Sequence, residues 1–595
     1  PKYMLPSAIV HMTNFPLTTN GKINKKELPN PLQHLQNDTS AYVAPETETE
    51  EKIAAIWETV LNVEKVGLND HFFELGGHSL KLMRLKNEYH KEFSVNIKIK
   101  EFFENATLKA HAAIIDTAEN DIYEAIEKVP EAASYEVSNG QKRLWIVSQI
   151  PNASSAYNMP YRVYLDGSYN VENLEKAIYA TIDRHETLRT VFKVNENGDL
   201  RQVVQSTTET NFNITRLDFR EIKDIHGAVD EYITHDTHRI FDLENGPLFR
   251  ATLIRTTDEN YVFYYNIHHI IGDGWSTKVL VEDVMRFYET FQNGNDEEIP
   301  ALTIQYKDYV NWENKQVSSG KYERHQNYWT KQFSGKIPQI EFPEQKKRPA
   351  TRSYAGYALG MYISEENTNK LKDFCNEHGG SLFMGMLAAW NVLIHKYTKE
   401  TDIIIGSPVV GREHDDLKNQ IGFYMNTLAL RNMINPNDDF VTVFQKVKRN
   451  TLESYDHQMY PFDAIIEDIA LQTERNRNPL YDIMFSYHNI EENKQTSIQG
   501  FSKDVIDLGF VKAKIDLLIN GMEAGDQLYL EINYDSDLFE MNMMKRLLRN
   551  YNQLLSEVLS NTNESIQTIK YQTESIKQFK KNNLLKLKSI KANAI

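Results

Sequence analysis

Tyr261-Val262-Phe263-Tyr264-Tyr265-Asn266-Ile267-His268-His269-Ile270-Ile271-Gly272-Asp273-Gly274-Trp275-Ser276 is the most informative run in the chain. Its aromatic and β-branched beginning predicts a strand. Leu280, Val284, Phe287, Tyr288 and Phe291 then recur at helical spacing. Two histidines therefore fall at a strand end, and Asp273-Gly274 forms the turn into the helix. Neighbouring side chains of a strand point to opposite faces, so only one histidine can face a given cavity. Periodicity does not say which. Three readings are open: hydrogen-bonded core histidines with Asp273 as a turn or cap residue, a metal site, or a general base. A metal needs three or more converging ligands, and divergent neighbours leave one histidine and one carboxylate. An imidazole with a pKa of about 6.5 can carry a proton at neutral pH.

The run sits inside a chain of 595 residues, which at about 150 residues per domain implies roughly four units. Hydrophobic residues make up 41% and charged residues 25%, as in ordinary globular proteins. Sixty-six basic against 83 acidic residues give a net charge of −17. Such a chain has no general attraction for phosphate backbones, so nucleic acid is not expected as a partner. A single cysteine leaves no disulfide framework and no cysteine-based zinc site. No stretch approaches the roughly 18 apolar residues of a membrane span. Pro1 to Pro6 show neither a basic n-region nor an apolar h-region. The expectation is a cytoplasmic protein without membrane contact.

Around the histidines, residues 134–565 read as one long α/β region. Strand-like runs at Tyr161–Leu165, Tyr261–His269, Asp402–Ile405, Ile483–Tyr487 and Leu528–Tyr534 alternate with helical ones, which suggests two lobes. Upstream lies a small helical unit. Ile53, Ile56, Trp57, Val60 and Leu61 mark one helix face, and Thr47 with Glu50 fits a capping box before it. A second helix is expected from Ser79, a third around Ile99–Phe103 and a fourth around Leu108–Ile115. Residues 116–133 read as an acidic linker, which could span about 55–60 Å if extended. Lys570 to Ile595 reads as a solvated, Lys-rich tail.

The pattern His268-His269-x-x-x-Asp273-Gly274 resembles the signature of nonribosomal peptide synthetase condensation domains. Six further motifs of that family resemble stretches of this chain, in order. Ser138-Asn-Gly-Gln141-Lys-Arg143-Leu-Trp145 is similar to the first, with Gly140 where alanine is usual. Arg184-His185-Glu186-Thr-Leu188-Arg189-Thr-Val-Phe192 is similar to the second. Tyr306-Lys-Asp308-Tyr309 with Trp312, and Ile421-Gly422-Phe423-Tyr-Met-Asn426-Thr-Leu428, match the fourth and fifth. His457-Gln458-Met-Tyr-Pro461-Phe462 and Arg477-Asn478-Pro479-Leu480 match the last two. The resemblance implies two lobes, each similar to chloramphenicol acetyltransferase, with a tunnel between them. It also implies that His269 faces the reacting centre, and that His268 points into the lobe. Asp273 is then mostly structural and paired with Arg412, and Gly274 lets the acyl thioester approach.

The helical unit carries Asp70-His-Phe72-Phe73-Glu-Leu-Gly76-Gly77-His78-Ser79-Leu80. Read blandly, Ser79 is an N-capping serine after a glycine turn. The run resembles the attachment site of peptidyl carrier proteins, which implies 4′-phosphopantetheine esterified to Ser79. A phosphodiester at a helix N-terminus is favoured by free N–H groups and the helix dipole. Further upstream, Tyr3-Met4-Leu5-Pro6 and Pro16-Leu17-Thr18-Thr19-Asn20-Gly21-Lys22 resemble the last motifs of an adenylation domain. Lys22 is then a relic of a nucleotide-binding domain whose bulk is absent.

These resemblances divide the chain into an adenylation remnant (1–35), a four-helix carrier bundle (45–117), a two-lobed α/β condensation domain (133–565) and a linker or tail (566–595). They imply an acyltransferase of peptide secondary metabolism. Ser79 would present an aminoacyl or peptidyl thioester donor, and a downstream carrier the acceptor amine. A phosphopantetheinyl transferase and the rest of the synthetase are the implied partners. Arg184-His185-Glu186 and Gly274-Trp275-Ser276 resemble the subtype that joins two L-residues. Two alternatives are an epimerization domain, which usually carries Ser-Trp after the aspartate, and a non-catalytic carrier-docking module. Heterocyclization relatives replace both histidines with aspartates.

Overall fold

The computed structural model describes residues 42–77, 79–118, 125–150, 153–167, 169–294, 299–471, 476–488 and 505–572. The expected adenylation remnant with Lys22, and the tail from residue 573, lie outside the described residues. The chain divides into two compact units between residues 123 and 124.

The first unit is a helical bundle of α1 (Glu48–Leu61), α2 (Ser79–Phe93), α3 (Ile99–Glu104) and α4 (Leu108–Thr117). The capping box expected at α1 forms: Thr47 accepts from the Glu50 N–H at 3.2 Å, and the Glu50 carboxylate accepts from the Thr47 N–H at 3.0 Å. Ile53, Trp57, Val60 and Leu61 are buried, as the periodicity requires. A polar chain threads the core. Trp57 Nε1 donates to the Tyr89 hydroxyl at 2.7 Å, and that hydroxyl lies 2.9 Å from His111 Nδ1. Burial, helped by His71, pushes the His111 pKa down to about 3. His111 is therefore neutral and accepts from Tyr89, so the bundle buries these groups without a charge.

The first half of the second unit runs through β1 (Tyr135–Glu136), α5 (Asn139–Ser148), β2 (Asn158–Leu165), α6 (Val171–Arg184), β3 (Thr190–Val194), β4 (Leu200–Val204) and β5 (Thr215–Asp218). It continues with α7 (Ile225–His238), β6 (Phe249–Arg255), β7 (Tyr261–His268), α8 (Gly274–Asn293), α9 (Tyr306–Ser318) and α10 (Glu323–Gln332). Four strands form a sheet of order β2-β7-β6-β5, with β7 antiparallel to both neighbours and Asn158 opposite His268. A small sheet, β1-β4-β3, stands beside it. Along the central strand β7, every residue from Val262 to His268 is buried, so its sequence does not alternate, and its polar Asn266 is buried donating to Asp236.

The second half contains β8 (Ala355–Ile363), α11 (Glu365–Glu377), α12 (Leu382–Thr398), β9 (Asp402–Val409), β10 (Asn426–Met433), α13 (Phe440–Tyr455) and α14 (Phe462–Asp468). Then follow β11 (Ile483–His488), β12 (Ile506–Lys512), β13 (Leu517–Ala524), β14 (Gln527–Asp535) and α15 (Met541–Ser560). Its mixed sheet has the order β10-β9-β11-β13-β14-β8-β12. Helix α12 is buried all round from Phe383 to Lys396, as expected of a helix with no polar face. The segment between β9 and β10 joins the halves. Leu417, Ile421, Phe423 and Tyr424 leave the seven-stranded sheet and pack into the core around β7.

Three expectations shift. Strand β7 ends at His268, and His269–Ile271 forms a 3₁₀ turn. The two histidines therefore diverge because the strand stops between them, not because of pleat alternation alone. The acidic linker is shorter than residues 116–133: Ile126 is buried in the core, and the Val129 N–H donates to Asp308 Oδ1 at 2.8 Å. At the other end, the packed chain continues past Ser565. Ile566 and Ile569 are buried, and Lys396 Nζ donates to the carbonyls of Gln567 and Ile569 at 2.9 Å each. An apolar pair anchored in this way belongs to the fold, not to a tail.

Candidate active site and carrier site

His268 is wholly buried. Its Nδ1 accepts from the Ile270 N–H at 3.2 Å, and its ring meets Phe241 edge-on. It faces the interior of the first half, and burial pushes its pKa down to about 3. His269 is half-buried. Its Nδ1 lies 2.8 Å from the Gly272 carbonyl. A carbonyl can only accept, so Nδ1 carries the proton and Nε2 of the neutral ring holds a lone pair. No hydrogen bond of Nε2 forms among the described residues. Burial, and then the Lys514 ammonium, lower the His269 pKa to about 4, against the opposing pull of Asp273. The Phe423 ring stands perpendicular to the imidazole at 5.1 Å, and Tyr157 lies 6.5 Å away.

Asp273 is the N-cap of α8. One carboxylate oxygen accepts from the Ser276 N–H at 2.9 Å and from the Ser276 hydroxyl at 2.7 Å. The same oxygen receives the Arg412 guanidinium at 3.1 Å, while the other accepts from the Tyr424 N–H at 3.1 Å. Arg412 also donates to the Leu417 and Gln420 carbonyls and lies over the Tyr424 ring. Asp273 and Arg412 are both buried. A buried carboxylate is tolerated where donors surround it in this way. The pair fastens the segment between β9 and β10 to the turn that carries His269.

The other motifs assemble around the same point. Gln141 Nε2 donates to the Ile270 carbonyl at 3.3 Å, and Tyr306 donates to the Phe423 carbonyl at 2.8 Å. His185 Nε2 and Arg184 Nε both reach Asp283 of α8, at 2.7 and 2.9 Å, so the second motif braces α6 against α8. A cavity beside the site is lined by Gly140, Arg143, Tyr309, Phe423, Asn426 and Phe462 among others. His269 does not line it; Phe423 touches both. A Cβ at Gly140 would lie 2.5 Å from the Phe423 ring, so glycine at this position suits the ring's placement. A Cβ at Gly274 would meet nothing within 4 Å, which leaves open space next to Asp273.

His268, His269, Asp273, Gly274 and Arg412 thus come together in the second unit, and Ser79 lies in the first. Sequence reading passed over three contributors. Ser276 completes a capping box whose Asp-x-x-Ser spacing was readable. Tyr157 and Lys514 come from distant segments with no local signal.

Ser79 begins α2, a helix of 15 residues. Gly76 has φ +87°, and a Cβ at Gly77 would lie 2.3 Å from the Phe72 ring. The two glycines therefore let the loop turn tightly against Phe72 and enter the helix at Ser79. A helix N-terminus of this length with a hydroxyl at its first residue fits a phosphodiester.

A condensation-domain family profile matches residues 131–579, and a phosphopantetheine-attachment-site profile matches residues 51–115. The chain belongs to the condensation-domain family. In it a region matching the phosphopantetheine attachment site precedes a condensation domain. Bacitracin synthase 3 of Bacillus licheniformis is 34% identical over 585 residues, which cover 98% of this chain and 9% of that synthase. Surfactin synthase subunit 1 of Bacillus subtilis (strain 168) is 35% identical over 574 residues, 96% of this chain and 16% of the subunit. The chain thus spans a small part of the curated relatives it matches. Among solved structures, the X-domain from teicoplanin biosynthesis superposes with TM-score 0.67 at 21% identity, covering 75% of this chain and all of that domain. Holo-AB3403, a four-domain nonribosomal peptide synthetase, gives 0.63 at 22% identity, over 75% of this chain and 35% of that one. These likenesses establish the condensation-domain fold. No described helix is long and apolar enough to cross a membrane.

Proposed function

We propose that this segment joins an L-configured aminoacyl or peptidyl donor, carried on Ser79, to the amine of an L-configured acceptor held by a downstream carrier. The single observation that most supports the reading is the Asp273–Arg412 clasp. It ties the segment after β9 to the turn that carries His269, where the Nδ1–Gly272 hydrogen bond leaves Nε2 with a lone pair and no partner among the described residues. Phosphopantetheine on Ser79 would supply the acyl group as an activated thioester on a flexible arm.

The domain's own residues then mainly orient and hold. A well-oriented pair of reactants gains about 7–11 kcal/mol over the bimolecular reaction. His269 Nε2 accepts a hydrogen bond from the attacking amine and keeps its nitrogen lone pair on line with the carbonyl carbon. The C–N bond forms, the C–S bond breaks, and the proton lost by the amine ends on the departing sulfur. A ring whose pKa is pushed to about 4 is a poor store for that proton, so His269 acts chiefly as a positioning acceptor. Gly274 leaves space for the acyl chain. Asp273 and Arg412 act through the turn.

On this reading the carrier occupies residues 45–117 and the condensation domain starts before residue 133 and runs past 565. A phosphopantetheinyl transferase, the remaining synthetase and a cytoplasmic setting complete the proposal. The test loads Ser79 with L- or D-aminoacyl groups and offers an L-acceptor thioester. Faster amide formation from the L-donor is expected; a preference for the D-donor, or epimerised donor without amide, would contradict it.

A further inference from the structure

Lys514 lies on the short connection between β12 and β13, in the half of the unit that does not carry the histidines. Its backbone is pinned. The neighbouring Ala513 N–H donates to the Tyr354 carbonyl at 2.9 Å, and Arg352 donates to the Lys514 carbonyl at 3.2 Å. Its ammonium lies 5.2 Å from the centre of the Tyr157 ring, the same ring that stands 6.5 Å from the His269 imidazole. The nearest carboxylate in sequence, Asp516, is taken by Arg348 and Arg352. No carboxylate pairs with Lys514 among the described residues. A half-buried cation without a counter-ion is costly unless its field serves something, and here it stands on the Tyr157 ring that neighbours His269.

We propose that Lys514 is a positioning residue of the condensation centre, whose ammonium keeps the His269 imidazole neutral so that Nε2 remains a hydrogen-bond acceptor for the attacking amine. The proposal rests on the reading of His269 given above. Other charged groups bear on the pair. Asp273 pulls the other way on His269, and Arg250 adds to the push on His268. Arg143 and Arg352 act on Tyr157. Burial lowers the Lys514 pKa to about 8, so the ammonium persists at neutral pH. Burial lowers the pKa of both histidines most; Lys514 comes next for His269, and after His269 itself for His268. Proton transfer to or from Lys514 is not part of the reaction, which stays balanced as amine plus thioester giving amide plus thiol.

The experiment titrates the histidine side chains of the 595-residue chain by NMR, with the His269 signal assigned through His269→Gln. In the wild type His269 should titrate well below the ordinary value of about 6.5. Lys514→Met keeps the stem and removes the charge, and should move the His269 titration upward. Lys514→Arg keeps a permanent charge and should leave it near the wild-type value. The condensation rate of Lys514→Met, divided by that of the wild type, should fall as pH is lowered from 8 to 6, a ratio in which the acceptor amine's own ionisation cancels. Thermal melts beside each variant report folding. A wild-type His269 titrating at its ordinary value overturns the proposal whatever the variants do. So does an unmoved His269 in folded Lys514→Met. If instead His269→Ala condenses at the wild-type rate, the reading of His269 itself fails, and the two failures are told apart.

Discussion

The Asp273 carboxylate and the Arg412 guanidinium meet at 3.1 Å inside the fold, each buried and each tied to a different half of the unit. Asp273 caps the helix after the two histidines, while Arg412 grips the carbonyls of Leu417 and Gln420 on the crossing segment. Removing one partner strands the other, at about 3–5 kcal/mol. Asp273→Ala and Arg412→Ala should therefore each lower the melting temperature and the condensation rate together. The double variant should lose less than the sum of the two, as neighbours that share one interaction do. Additive losses in a double-mutant cycle would show that the two residues act independently.

His268 predicts a pH dependence of stability. Its pKa is about 3 in the fold because of burial and about 6.5 in the unfolded chain. The unfolded state thus binds the proton first as pH falls. The contribution of neutral His268 is complete above about pH 6.5 and is lost as pH drops toward 3, at about 1.4 kcal/mol per pH unit. Asparagine offers an acceptor near the place of Nδ1 and does not titrate. Denaturant melts of His268→Asn should show a shallower acid decline than the wild type between pH 6.5 and 4; equal slopes would contradict the assignment.

Much of this was legible in the chain itself. The four carrier helices followed from apolar spacing and from the Thr47–Glu50 box, because short amphipathic helices are local objects. The seven motifs gave the condensation fold, and the clasp between Asp273 and Arg412 came with them. The stop of β7 at His268 was not readable, since His268 and His269 are the same residue type with isoleucine on either side. Nor was Lys514: its relation to His269 comes from sequence positions 245 residues apart, which no local pattern links. The packing of Ile126, Ile566 and Ile569 was hidden because isolated apolar residues in polar surroundings look like linker.

Gly274 separates space from folding. A Cβ there would meet no atom within 4 Å outside its chain neighbours, so Gly274→Leu is expected to fold with a melting temperature near that of the wild type. The added side chain would enter the open space beside Asp273, and condensation should slow by at least tenfold, or about 1.4 kcal/mol. A folded Gly274→Leu protein with a normal rate would show that the acyl chain passes elsewhere.

The C-terminal boundary gives a structural test. Truncation after Ser565 removes buried Ile566 and Ile569 and leaves Lys396 without its two carbonyl acceptors. Burying two isoleucines is worth about 1.5–3 kcal/mol each, so this truncation should lower the melting temperature by several degrees. Truncation after Gln572 should leave it nearly unchanged. The same melting temperature for both would show that residues 566–569 do not contribute to the fold.

The central claim is that a Ser79-borne donor reaches an amine under the control of His269. It is tested by charging Ser79 through a phosphopantetheinyl transferase and an aminoacyl-coenzyme A, which releases adenosine 3′,5′-bisphosphate, adding an acceptor carrier thioester, and following the amide by mass spectrometry in a single turnover. Wild type should yield amide, Ser79→Ala should take no phosphopantetheine and yield none, and His269→Ala should be folded and slower by about 10²-fold or more, as for a misplaced reactant. Amide formed by His269→Ala at the wild-type rate, or modification surviving in Ser79→Ala, would contradict the account.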